Sequence, residues 1–499
     1  MSKASWISDL STDNTRLSNT SQDSSSPTSQ RKSLHKRFKE KISHNPSLDR
    51  TLVSFQGNRD VPFYGWFKYR EGFSEQLVKY LLMELMPRPG VLLDPFAGSG
   101  AALFAAGALG WQTKGIEVLP VGIFAMQARI VANRIHPGTL RSAVTQLSTI
   151  NFSDYYSESY AFKHIAISRG AFPAAEEREL IGYIGYCHQA IVDEDVRTLM
   201  LYAAFCVLEE ISYTRKDGQF LRWDARSGRS LGGKPRHLGR IVPFREALDR
   251  KLTQMTEDLG LGVVQQWLFP EISLPTAQMP LPELIEGSCL TILPTMVDES
   301  FDFVLTSPPY ANRYDYTRTY ALELVFLGCD DEKVKQLRQT MLSCTVENRD
   351  KRAQLQQFYT SIGRERDFQN VEATFEHQEA LQEVLTILDT YREKGKLNNV
   401  NVARLVRNYF YEMCFVIYEL ARLLKKGGII AMVNDNVRYA GEEVPVDLIL
   451  SDFAESFGLS TRHIWTLGRG KGNSSQQMGM HGREELRKCV YVWEKSYDG

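Results

Sequence analysis

The chain has 499 residues, 43% of them hydrophobic, and a formal net charge of −1. This length and composition allow a large buried core and more than one module, while the charge balance excludes a global polycation. Any nucleic-acid-binding surface must therefore be local. Seven cysteines without Cys-x-x-Cys spacing point to reduced thiols in a cytoplasmic protein rather than structural zinc, and no metal is expected. No apolar run reaches membrane-spanning length, so a membrane partner is not expected either.

Residues 1–48 are rich in Ser, Thr, Asn and Gln, with basic residues from Arg31 to Lys41. Such a segment buries too little to offset its ordering entropy and is expected to be a disordered or loosely helical arm. The first core segment, 49–125, begins with clustered aromatics (Phe63, Tyr64, Trp66, Phe67, Tyr69, Phe73). Ser74 then reads as the N-cap of an amphipathic helix carrying Leu77, Val78, Leu81, Leu82 and Leu85.

Val91 to Gly100 spells strand followed by tight glycine loop, and the small residues Ala101, Ala102, Ala105 and Ala106 suit a helix packed close to a sheet. A second strand, Lys114–Val118, ends in Glu117, where an acid can hold a ribose diol. The dinucleotide fingerprint lacks its third glycine, at Leu103, and the phosphate-loop pattern lacks Gly-Lys-[Ser/Thr]. The loop thus reads as a site for a nucleoside without phosphates, with an ordinary α/β turn as the alternative.

Residues 126–280 form a predominantly helical insertion that turns basic and Gly-rich over 213–250. Arg222, Arg226, Arg229, Arg236 and Arg240 alternate there with Phe220, Trp223 and His237. Arginines with interspersed aromatics suit phosphate and base contacts, and a solvated loop is the competing reading. The spacing of Arg222, Arg226 and Arg229 fits one side of a helix or a tracked backbone.

Sheet pattern returns over 281–329, at Leu284–Ser288 and at Phe301–Leu305. The latter strand meets Thr306-Ser307-Pro308-Pro309-Tyr310. Two prolines cannot continue a ladder, so the backbone must turn out of the sheet. A hydroxyl, a carbonyl with no amide proton beside it and an aromatic ring are left at a strand's carboxyl end, where open parallel sheets bind ligands. A second helical insertion, 330–396, is broken by Gly395, Asn398 and Asn399 ahead of a long helix, Val402–Leu424. Lys425-Lys426-Gly427-Gly428 is expected to cap that helix, Ile429–Val433 to be a buried strand, and 461–467 with 488–494 to be an antiparallel pair closing the sheet. A basic loop, Gly468 to Asn473, lies between the last two strands, and 397–499 completes the core.

Asp94-Pro95-Phe96-Ala97-Gly98-Ser99-Gly100 followed by Thr306-Ser307-Pro308-Pro309-Tyr310 resembles the amino-group DNA methyltransferases that use S-adenosylmethionine. The Ser-Pro-Pro-Tyr form is most similar to the cytosine-N4 branch; adenine-N6 members more often carry Asn or Asp in place of Ser307. The resemblance covers roughly 60–125, 284–325 and 400–495. It implies an α/β fold: a Rossmann-like class I methyltransferase sheet, mostly parallel with a C-terminal antiparallel strand, interrupted by helical insertions. It also implies that Asp94, Pro95, Phe96, Gly98, Ser99 and Gly100 line the methionine and ribose part of the cofactor site. Glu117 would take the ribose hydroxyls, and Phe73 and Ser74 resemble the cofactor-side motif ahead of the loop. Ser288 stands where relatives often place an acid against the adenine.

The implied catalytic turn is Ser307, Pro308, Pro309 and Tyr310. Ser307 and the Pro308 carbonyl would accept the amino hydrogens of a cytosine extruded from double-stranded DNA, and Tyr310 would stack on that base. None of the seven cysteines follows a proline, which sets carbon-5 methylation aside. The 213–250 loop is the first candidate to read bases and the 330–396 insertion the second. A cognate restriction or defence protein is the further partner implied. The glycine loop precedes the Ser-Pro-Pro-Tyr turn, unlike the permuted order of many cytosine-N4 enzymes. Adenine-N6 DNA methylation, guanine-N2 RNA methylation and a non-catalytic nucleic-acid-binding subunit therefore remain as alternatives.

Overall fold

The computed structural model describes residues 29–217, 220–229, 237–268, 280–468 and 486–497. Its strands in chain order are β1 (Ile42–His44), β2 (Val91–Asp94), β3 (Gln112–Glu117), β4 (Thr214–Asp217), β5 (Phe220–Trp223), β6 (Glu283–Glu286) and β7 (Phe301–Thr306). They continue with β8 (Leu424–Asp435), β9 (Val437–Tyr439), β10 (Glu442–Val444), β11 (Leu459–Thr466) and β12 (Lys488–Lys495). Eight of them form one sheet in the order β1-β11-β12-β8-β7-β2-β3-β6, and β4-β5 and β9-β10 are separate hairpins. The five strands from β8 to β6 are mutually parallel. β12 runs antiparallel to both its neighbours.

This is the mixed, mostly parallel α/β sheet that the motif pattern implies. Parallel strands covered on both faces need near-continuous apolar runs. Accordingly Leu92, Leu93, Phe303, Val304 and Leu305 are all fully buried. The chain moves outward from β2 to β3 and β6, then returns to the other side of β2 with β7 and β8. That reversal opens a crevice between the carboxyl ends of β2 and β7, which is where such sheets take ligands.

One face of the sheet is covered by the helix Val402–Leu423, in which every residue from 409 to 417 is buried. Its Glu412 is among them; the carboxylate accepts hydrogen bonds from Lys351 Nζ at 2.8 Å and from the Ser343 amide at 2.7 Å, clamping the second insertion to the core. The first insertion is largely helical. Its helices Ala174–Ala190, Glu194–Val207 and Phe244–Leu268 build a second apolar core together with Trp66, Phe67 and Tyr69.

Three expectations are corrected. Residues 29–48 of the supposed arm are folded: a helix, Gln30–Phe38, buries Leu34 and Phe38, and β1 pairs in parallel with β11 through Ile42↔Ile464. The segment has little apolar content, but its few apolar residues and Arg31 find distant partners, including Glu383 at 3.0 Å. Residues 1–28 lie outside the described part. β1 is consequently the sheet edge, outside the C-terminal antiparallel pair. Finally, Lys425 to Gly428 do not cap the long helix, because Leu424 is already extended and opens β8, pairing with Phe301. Of the basic loop Gly468 to Asn473, residues 469–473 lie outside the described residues.

Candidate active site

A cavity of about 750 Å³ opens at the carboxyl ends of β2, β3 and β7. Ten of the sequence-predicted residues line it: Phe73, Asp94, Pro95, Phe96, Gly98, Ser99, Glu117, Ser288, Ser307 and Pro309. Four others are not part of that lining. Ser74 is fully buried and spends its hydroxyl on the Leu77 amide as a helix N-cap. Gly100 is the N-cap of the helix Ala101–Gly107. Pro308 is buried within the turn, and Tyr310 stands behind Ser307, whose Oγ donates to the Tyr310 hydroxyl at 3.3 Å.

The glycine loop is shaped by close approach. Gly98 has φ +56°, and a Cβ added there would meet the Tyr69 ring at 2.9 Å. The Gly98 amide donates to Glu117 Oε2 at 2.7 Å, and Glu117 Oε1 accepts the amides of Val118 and Leu119 at 2.8 and 2.7 Å. The acid at the end of β3 thus fixes the loop at the end of β2. Asp94 Oδ1 accepts the Phe96 amide at 3.0 Å and the Thr306 hydroxyl at 2.7 Å. The first residue before the Ser-Pro-Pro-Tyr turn is thereby tied to the first residue of the glycine loop.

Burial raises both carboxyls to about 7, outweighing the hydrogen bonds from Thr306 and Phe96 that lower Asp94 and the three amides that lower Glu117. Two carboxyls that titrate near neutrality in a cleft are what a cationic, hydroxyl-bearing ligand can draw into their ionised form.

Sequence reasoning passed over Tyr69, Glu71, Tyr316, Met341 and Leu342, all of which line the cavity. Tyr69 stacks on Tyr320 with ring centroids 5.3 Å apart, and the Tyr320 hydroxyl donates to Glu71 Oε2. Burial pushes the Glu71 carboxyl above its ordinary range, and its Oε1 has no hydrogen-bond partner. The one signal for Glu71 was its place two residues before Phe73. Met341 and Leu342 come from the second insertion, and no local pattern marks them.

The basic segment is less free than its composition suggests. Arg222 lies on β5 and pairs with Asp217 at 3.0 Å, and Arg226, in a 3-10 turn, forks onto buried Asp224 at 2.7 and 2.8 Å. Arg229 donates to the carbonyls of Ala166 and Arg169 and stacks on Trp223 at 3.7 Å. Arg240 is exposed and pairs with Glu246 at 2.6 Å. These residues do not share a helix face, because Arg222 stands on a strand of the hairpin β4-β5 and Arg226 in the 3-10 turn that follows it. Arg236 lies outside the described residues.

All seven cysteines are free thiols. Among the described residues no helix is long and apolar enough to cross a membrane, and no cluster of three or more His, Cys, Asp or Glu side chains could hold a metal ion.

No protein-family model matches the chain, and no solved structure matches it. Curated relatives do. Over 466 residues it is 41% identical to the type II methyltransferase M.AvaI of Nostoc sp. and to that of Anabaena variabilis, covering 93% of each chain. Over 483 residues it is 38% identical to the type II methyltransferase M.BsoBI of Geobacillus stearothermophilus, covering 94% of this chain and 92% of the relative. With likeness of that extent, the chain belongs to the type II methyltransferases.

Proposed function

We propose that the protein is a site-specific DNA methyltransferase of a restriction–modification system, acting on the exocyclic N4 amino group of a cytosine flipped out of duplex DNA. What supports this reading is one observation above others: the glycine loop, its two near-neutral carboxyls and Ser307 share a single cavity. S-Adenosylmethionine, when bound there, supplies an electrophilic methyl group on a sulfonium centre. The residues present suit it, since Glu117 offers an acceptor to a ribose diol, Gly98 leaves room for close backbone approach, and Asp94 and Glu71 offer negative charge to a cationic tail.

The chain's own contribution is acceptance and alignment. A cytosine amino group is a poor nucleophile because its lone pair is conjugated into the ring. Ser307 gives its proton to Tyr310, which leaves its oxygen lone pairs to accept an amino hydrogen. With the Pro308 carbonyl accepting the other, the nitrogen lone pair is localised toward the methyl donor. Pro309 holds the turn, and Tyr310 orients Ser307 as well as offering a ring for the extruded base. Fixed acceptors of this kind need no reorganisation at the moment of transfer. DNA contacts are assigned to the basic hairpin region, Arg222 and Arg240 first, because their ion pairs with Asp217 and Glu246 lie at the surface, whereas Arg226 is held by buried Asp224 and Arg229 by two backbone carbonyls. A cognate restriction endonuclease is the partner such a system implies.

The deciding experiment is transfer of labelled methyl from S-adenosylmethionine to mixed-sequence duplex DNA, with nucleoside mass spectrometry of the product. N4-methylcytosine that disappears in Ser307→Ala is the expected result. N6-methyladenine would overturn the base assignment, and label on RNA alone would overturn the substrate.

A further inference from the structure

A second, smaller cavity adjoins the glycine loop, and Ser99 lines both it and the crevice at the strand ends. Its walls are aromatic (Phe63, Tyr64, Trp66, Phe104) and its polar centre is Arg129, on the helix Pro120–Arg134. The guanidinium carbon sits 4.3 Å from the Phe63 ring centroid and 4.5 Å from that of Tyr64. Arg129 Nε and Nη1 are sealed from solvent and have no hydrogen-bond acceptor.

The nearest acids are committed elsewhere. Asp258 Oδ2 accepts the Trp66 indole at 2.7 Å and the Phe63 amide at 3.2 Å, while Glu75 is taken by Lys79. Desolvation accordingly pulls the Arg129 guanidinium below its ordinary range. Arg129 as a whole is partly exposed, but two donors sealed from water without an acceptor are costly and are seldom retained without a partner. Phe63, which forms one face of its stack, holds a left-handed backbone at φ +67°, strain that a bulky residue carries only where its surroundings impose it. Cost and strain converge on one guanidinium.

We propose that this cavity is a carboxylate-binding site, with Arg129 forking onto the two oxygens while the aromatic walls exclude water. Two sources supply that chemistry: the methionyl carboxylate of the methyl donor reaching past Ser99, or a free small carboxylate. The first rests on the proposed function; the second does not. A planar guanidinium already in contact with two rings loses little freedom on forming such a pair.

The test uses the full-length protein and its Arg129→Met variant, which keeps the apolar stem and removes the charge. Because it removes two sealed donors that lack an acceptor, the ligand-free variant should melt at or above the wild-type temperature. Titration calorimetry compares S-adenosylmethionine with its decarboxylated analogue, and thermal shift follows added formate. If the donor's tail is the source, the variant loses about tenfold or more in affinity for S-adenosylmethionine and less than about twofold for the analogue. If the source is a free carboxylate, formate raises the melting temperature of the wild type and not of the variant, and both cofactor affinities hold. Equal losses for both cofactors, or no difference with any of the three ligands, overturn the proposal. A wild type that binds neither cofactor defeats the methyltransferase reading, and the formate arm still decides the cavity.

Discussion

Replacing Thr306 by valine removes one hydroxyl and almost no volume. Thr306 and Asp94 are 0% and 2% exposed, and the bond between them is 2.7 Å long. Without it, Asp94 Oδ1 keeps the Phe96 amide as partner and its carboxyl moves further above about 7, because Thr306 is the strongest of the groups holding it down. A buried hydrogen bond to a charged acceptor contributes about 1.5–3 kcal/mol. Since the ionised carboxylate is the form that a cationic cofactor requires, most of that difference should appear in binding. Cofactor affinity at pH 7 should fall by about tenfold or more, at roughly 1.4 kcal/mol per decade. Part of the loss should return at pH 8.5, where Asp94 ionises despite the missing donor. Calorimetric titration of S-adenosylmethionine at both pH values reads the effect directly. Affinity within a factor of two of wild type at both would refute the idea that Thr306 couples the catalytic turn to the cofactor loop.

Gly98→Ala should reduce cofactor affinity by more than about tenfold, since the new Cβ meets the Tyr69 ring at 2.9 Å and a positive φ disfavours alanine; equilibrium dialysis checks it. For pH dependence, Asp94 and Glu117 have folded values raised to about 7 by burial. Their contribution to the stability of the ligand-free protein is present below the unfolded carboxylate range and is lost as pH rises through about 7. Ligand that prefers the ionised pair should bind more tightly over the same rise, releasing protons, so the melting-temperature gain from S-adenosylhomocysteine should grow from pH 6 to pH 8. Lys351→Ala leaves Glu412 buried and unpaired, and should cost about 3–5 kcal/mol in denaturant unfolding.

The glycine loop and the Ser-Pro-Pro-Tyr turn were readable from sequence because each is a short-range device. A buried strand, a glycine or a proline pair, and the chemistry it presents all fall within ten residues. Glu117 was readable for the same reason. Residues 29–48 misled because their partners, Glu383 and the strand at Ile464, are hundreds of residues away. The arginine-rich stretch misled in a different manner. Counting charge sets Asp217 and Asp224 against many arginines, and does not reveal that Asp224, two residues before Arg226, captures it with a fork of hydrogen bonds. Arg129 drew no notice at all, since one arginine in a helix looks ordinary until the acids near it are seen to be engaged by other groups.

The edge strand β1 also bears on how the molecule comes to exist. Its partner β11 is followed only by β12, so during synthesis residues 42–44 must wait until the ribosome has delivered residues 459–466. β2 and β3 can pair early, whereas β8, in the middle of the finished sheet, comes only at residues 424–435, and β12, which joins it to β11, comes later still. Closing such long loops before any pairing rewards them makes folding slow and leaves unpaired strand edges open to other chains. An N-terminal extension that hinders β1 should therefore show itself as aggregation of nascent or refolding protein, while molecules that do complete the sheet keep an unaltered cofactor cleft.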